Sequence, residues 1–140
     1  MGSSSVIFLL IGVLILAVVF ILYISVVRKD NPQLNREKYQ SRWLEIENSI
    51  SRDNMAACQM AIMNADKLLD QALKERHFKG EKMAERMKAA DSVWSNANHV
   101  WTAHKIRNKL AHEPDARVTY ELTLQTLSAF KQALKDVGAI

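Results

Sequence analysis

The side chains best suited to chemistry lie in one run, His104-Lys105-Ile106-Arg107-Asn108-Lys109-Leu110-Ala111-His112-Glu113-Pro114. Arg107 and His112 put a permanent cation and an imidazole on one helix, just ahead of a proline that disfavours its continuation. An imidazole takes or gives a proton near neutral pH. A guanidinium stays charged and offers a fork to phosphate oxygens, including those on which charge develops during transfer. Together they suit RNA cleavage without a metal. His112 would deprotonate a ribose 2′-hydroxyl, and Arg107 would stabilise the phosphorane-like transition state. The leaving oxygen needs a second proton-transfer group. One chain offers only His104 nearby, so a symmetric dimer that pairs two Arg–His sets is the natural solution.

Helix geometry constrains this chemistry. At roughly 100° per residue, His104, Asn108 and His112 share a face, with Arg107 about 60° to one side and Trp101 about 60° round on the other. That edge presents imidazole, guanidinium, amide and indole, while Ala103, Ile106 and Leu110 form the opposite, core-facing edge. Arg107 and His112 are about 140° apart on an ideal helix, so one cleft holds both only if the last turn unwinds or the Arg side chain reaches round. Simpler roles stand beside these. Arg107 can pair with Glu113 or Asp115, and His112 can serve as a helix C-terminal cation. Trp94 and Trp101 read as packing residues before base-stacking platforms. His99 and His104 are five apart, a poor spacing for a shared metal, and with one cysteine and no His-Glu-x-x-His run no metal or other cofactor is expected. Gly-rich phosphate loops and serine nucleophile elbows are absent from the sequence.

The run from His104 to His112 resembles the signature of the HEPN superfamily: Arg, usually a polar residue (here Asn108), then His four to six positions after the Arg. The helical layout from about Trp43 to Ile140 is similar as well. The resemblance implies a helical bundle, often dimeric, and in many members a metal-independent endoribonuclease or an RNA- or nucleotide-binding module. It makes Arg107 and His112 the catalytic pair, with Asn108 and His104 in support. Two features depart from the catalytic members: an apolar N-terminal segment, and the lack of an acidic residue that the sequence places beside the motif. HEPN-like domains without nuclease activity also exist, so the alternative is a catalytically silent helical module that recruits a protein partner.

The elements that must position this run begin with an anchor. Val6 to Val27 carries no charge, and only Gly12, Tyr23 and Ser25 interrupt its aliphatic character. As a helix it would span about 33 Å, enough for a bilayer core. A cleaved signal peptide fits poorly, since Met1–Ser5 has no basic residue and the apolar run is too long. A myristoylation signal would need Ser or Thr where Val6 stands. Arg28, Lys29 and Arg36 follow the span, so the positive-inside rule expects the N-terminus outside and a cytoplasmic C-terminal domain. The expected division is an anchor at residues 1–27 (span about 6–27), a linker at 28–34 around Pro32, and a bundle at 35–140 of roughly four to five helices.

Period-3.6 patterns supply those helices. Tyr39, Trp43, Ile46 and Ile50 line a first one from about Asn35, with a restart at Ser51–Asn54. Met55, Cys58, Ile62, Ala65, Leu69 and Ala72 line a second, with Asp66, Lys67, Asp70, Lys74 and Glu75 expected outward and Gly80 as left-handed cap. A third covers Glu81–Ala90, with Met83, Met87 and Ala90 inward, and a fourth runs from Val93 to about Glu113. The last starts at Thr119 or Thr123, buries Leu124, Leu127, Phe130, Leu134 and Val137, and meets Gly138 at its end. All 19 basic and all 15 acidic residues lie outside the apolar span, a formal excess of +4 that suits a surface near anionic headgroups or a polyanion. The single cysteine, Cys58, excludes an intrachain disulfide and agrees with a reducing compartment.

Overall fold

The computed structural model describes residues 2–29 and 32–140, and in them the expected all-α fold is observed. Six helices follow one another: α1 (Ser3–Lys29), α2 (Arg36–Ser49), α3 (Met55–Glu75), α4 (Met83–Ala89), α5 (Ala97–His112) and α6 (Tyr120–Asp136). A single 3₁₀ turn, Asp91–Val93, separates α4 from α5, and no strand occurs among the described residues. The chain divides into two compact units at Pro32 and Gln33.

The first unit is α1. Ser4–Ser25 is the one described stretch long and apolar enough to cross a membrane, and none of it is buried. The helix continues through Arg28 and Lys29, which the sequence pattern assigns to the linker; residues 13–31 contain no proline or glycine to stop it. Asp30 and Asn31 of the expected linker lie outside the described residues.

The second unit is organised around α3, against which α2, α4, α5 and α6 all pack. Because it has neighbours on so many sides, α3 buries Cys58, Ala61, Ile62, Ala65, Asp66, Leu68, Leu69, Ala72 and Leu73, a wider face than a surface helix offers. Asn54 caps its start by accepting from the Ala57 N–H at 3.0 Å. On α2, Asn35 caps in the same way, and Tyr39, Trp43 and Ile46 turn inward.

The end of α3 differs from expectation. The left-handed residue is His77 (φ +59°), not Gly80. His77 N–H donates to the Lys74 carbonyl at 2.9 Å and Phe78 N–H to the Leu73 carbonyl at 3.1 Å, the two bonds of a Schellman cap. Histidine is among the non-glycine residues enriched in that conformation. Gly80 has another task. A Cβ there would lie 2.7 Å from Glu85 Cβ and 2.8 Å from Arg86 N, so the chain can pass the start of α4 only without a side chain.

Two further boundaries and one face shift for local reasons. Residues 91–96 stay out of α5 because Trp94 Nε1 donates to the Met87 carbonyl (3.0 Å), while Ser95 N–H and Oγ–H both donate to Asp136. The helix then starts behind the Asn96 cap. Where Glu81–Ala90 is expected as the third helix, α4 is shorter, and the Glu85 carboxylate instead accepts from the Glu81 N–H (2.8 Å) ahead of it. On α6, Leu124 is 43% exposed although expected inside. Thr123 and Thr126 take the buried side, and each hydroxyl donates to a backbone carbonyl one turn back (2.8 and 2.7 Å), so burying them leaves no orphan donor. Gly138 (φ +76°) ends α6 as expected.

Candidate functional site

α5 carries the motif and is held from two sides, by α3 and by α6. A reading that allows one buried face therefore misplaces its polar edge. Val100, Ala103 and His104 are buried, while Ile106, Arg107, Asn108 and Leu110 are half-buried. Ala103 and Ile106 line a groove shared with α6; His104 and Arg107 turn toward α3.

What meets them is Asp66, 2% exposed, on the helix face expected to be solvated. His104 Nδ1 lies 2.7 Å from Asp66 Oδ1. Arg107 Nε lies 3.0 Å from Asp66 Oδ2, at ion-pair distance but with its N–H aimed off the oxygen. Arg107 Nη1 donates to Asn108 Oδ1 at 2.9 Å, and Asn108 Nδ2 faces His104 Nε2 at 3.2 Å. The indole of Trp101 meets the imidazole edge-on, with centroids 6.3 Å apart. Asp66 is thus the acidic residue beside the motif that the sequence did not reveal. Its type marked it as solvent-facing, and its histidine partner is 38 positions away.

The same arrangement recurs one turn along α3. Asp70, also expected outward, receives Arg86 of α4 at 2.8 and 2.7 Å and Lys74 at 2.8 Å. Arg86 is itself 5% exposed and donates through Nη1 to the Gly80 carbonyl at 2.7 Å. A buried base from a different helix accounts for each inward-drawn carboxylate.

Of the expected site residues, then, Arg107, Asn108 and His104 come together and His112 stands apart. His112 is the exposed last residue of α5 and makes no hydrogen bond or ion pair among the described residues. The last turn does not unwind, since Glu113 N–H still donates to the Lys109 carbonyl at 2.9 Å. Arg107 and His112 therefore keep the separation of about 140° set by a regular helix. His104 is unsuited to protonate a leaving oxygen from within this chain, because it is buried with both ring nitrogens occupied. Arg107 does not pair with Glu113, which lies 3.9 Å from Lys109 instead. Its side chain is 30% exposed, and Nη2 has no partner among the described residues.

Two cavities lie elsewhere on the bundle. The larger, about 550 Å³, is the α5–α6 groove, where Thr102, Ile106, Leu124 and Ala129 contribute lining but neither Arg107 nor His112 does. The other, about 370 Å³, lies between α2 and α3. No family model, curated protein or solved structure matches the chain.

Proposed function

We propose that this chain is a membrane-anchored, HEPN-like protein that acts on RNA as a homodimer, through Arg107 and His112, without a metal. The observation that supports it most is the polar assembly around Asp66. A buried carboxylate, an imidazole and an amide are spent on orienting one guanidinium, whose side chain stays 30% exposed. Fixing a cation before its ligand arrives is the economy expected of a phosphate-stabilising group. His112, exposed and unengaged, serves as the general base. Since the two residues point about 140° apart on one helix, a second copy brings its own Arg107 and His112 to complete the site, its imidazole protonating the leaving oxygen. α1 tethers the bundle to a bilayer, N-terminus outside and bundle in the cytoplasm, and the net positive charge favours an RNA partner.

The full chain in nanodiscs, with a chelator present, should cleave single-stranded RNA. Arg107→Ala and His112→Ala should each slow cleavage about 100-fold or more while keeping the helical circular dichroism. A second reading is favoured by the charge pairing of Arg107 with Asp66: a silent module that recruits a protein partner, in which the ring is structural. Wild type and both variants equally inert on RNA would select it.

A further inference from the structure

Three hydrogen bonds and one ion pair join Asp66, His104, Asn108 and Arg107 in a closed ring whose polarity has one self-consistent setting. Arg107 can only donate, so Asn108 must turn Oδ1 toward Nη1, 2.9 Å away. That leaves the Asn108 nitrogen, also only a donor, facing His104 Nε2 at 3.2 Å. Nε2 must then be the bare, accepting nitrogen. The imidazole proton sits on Nδ1, where Asp66 Oδ1 accepts it at 2.7 Å, and Asp66 Oδ2 closes the ring against Arg107 Nε at 3.0 Å. A second proton on His104 sets Nε2–H against the Asn108 NH2. Turning the amide over cures that contact but sets NH2 against Arg107 Nη1. A doubly protonated His104 is incompatible with the Arg107–Asn108 hydrogen bond whichever way the amide lies.

We propose that His104 is a positioning residue for Arg107, acting as a neutral, Nδ1-protonated imidazole through Asn108 and Asp66, so that the guanidinium is held with Nη2 toward an RNA phosphate. The phosphate role rests on the functional reading above; the ring itself does not. His104 never touches the RNA.

The charged surroundings leave this ring as the controlling element. From α3 the imidazole meets Asp66, and Asp70 one turn on is engaged by Arg86 and Lys74. From α5 it meets Asn108 and Trp101, while Arg107 reaches it through Asn108 and Asp66. On α4, Arg86 is held by Asp70 and the Gly80 carbonyl. On α6, Lys131 is held by Glu47 and Asp136 by Ser95.

The test uses the full chain in micelles, labelled with ¹⁵N in histidine and arginine, with long-range ¹H–¹⁵N spectra assigned through His104→Gln. Of the four histidines, His104 should show the Nδ1–H tautomer, the form that free imidazole disfavours. Arg107 Nε–H exchange protection should fall tenfold or more in His104→Ala. Asn108→Asp puts a carboxylate where it accepts from both Nη1 and Nε2–H. In that variant His104 should be doubly protonated under conditions where the wild-type ring is neutral, with Arg107 still protected. An Nε2–H tautomer in the wild type, Arg107 protection unchanged in His104→Ala, or a neutral His104 in Asn108→Asp would each overturn the ring. On RNA, His104→Ala should lower turnover at least tenfold; unchanged turnover would overturn the positioning role. A wild type that ignores RNA would instead sink the functional reading, while the tautomer measurement still decides the ring.

Discussion

Replacing Asp66 with asparagine removes one charge and almost no volume, so its effect isolates the electrostatics of the buried ring. The side chain is 3% exposed and serves two partners, His104 and Arg107. Removing one partner of a buried ion pair costs about 3–5 kcal/mol, because the other charge is left in a poorly solvating site. Arg107 is 30% exposed and can swing part of its charge into water, which places the loss near the lower end, about 3 kcal/mol. With a urea dependence of about 1.5 kcal/mol per molar for a bundle of this size, the midpoint should fall by about 2 M. Fluorescence of Trp43, Trp94 and Trp101, all in the second unit, would follow the transition of the full chain in micelles. Asp66→Leu combined with Arg107→Met removes both charges, and the pair should lose less than the sum of the single losses, with a coupling of about 1–3 kcal/mol. An Asp66→Asn variant within 0.5 kcal/mol of wild type, or strictly additive losses in the pair, would refute the account of the ring.

Other expected outcomes follow from single contacts. Gly80→Ala should cost about 2 kcal/mol or more, read as a lower thermal midpoint, since its Cβ would collide with the backbone of Arg86 at 2.8 Å and the residue sits at φ +147°. Burial first, and the neighbouring Glu75 second, push the Tyr39 phenol above its ordinary value near 10. The neutral phenol is thus favoured in the folded state, so this stability is fully present below that value and is lost as pH rises beyond it; Tyr39→Phe should flatten the alkaline limb of the stability–pH curve. Burial raises Glu47, but Lys131, donating at 2.6 Å, outweighs it and holds the carboxyl below its ordinary value. This contribution is present above the unfolded carboxylate value and fades as pH falls through the lower folded one; Lys131→Met should reduce the acid-side loss, and an unchanged acid limb would contradict it.

The fold was legible where apolar residues repeat at helical spacing. Cys58, Ile62, Ala65, Leu69 and Ala72 mark the buried side of α3 in the sequence and in the structure. Leu127, Phe130 and Leu134 do the same for α6, and the uncharged stretch from Val6 marks α1. Periodicity sorts residues by polarity, however, and so placed Asp66 and Asp70 outside. Only the arrival of α5 and α4, distant in sequence, supplies the bases that make their burial favourable. Thr123 and Thr126 displaced Leu124 from the core for a related reason: their hydroxyls find partners within their own helix. His77 took the left-handed position because helix ends are set by where α3 stops packing, and the nearest glycine is three residues late. The motif residues Arg107, Asn108 and His112 were visible as types and spacing. The grouping of Arg107 and Asn108 with His104 and Asp66 was not, because α5 has two covered sides and its polar edge lies against α3.

The most direct measurement of the functional account is cleavage of a short single-stranded RNA by the full chain in nanodiscs with chelator present, set beside the same oligonucleotide made 2′-deoxy throughout. The account predicts cuts only in the ribose strand, fragments ending in 2′,3′-cyclic phosphate, and their disappearance in His112→Ala and Arg107→Ala. Cleavage of the deoxy strand, activity that survives either substitution, or an inert wild type would contradict it.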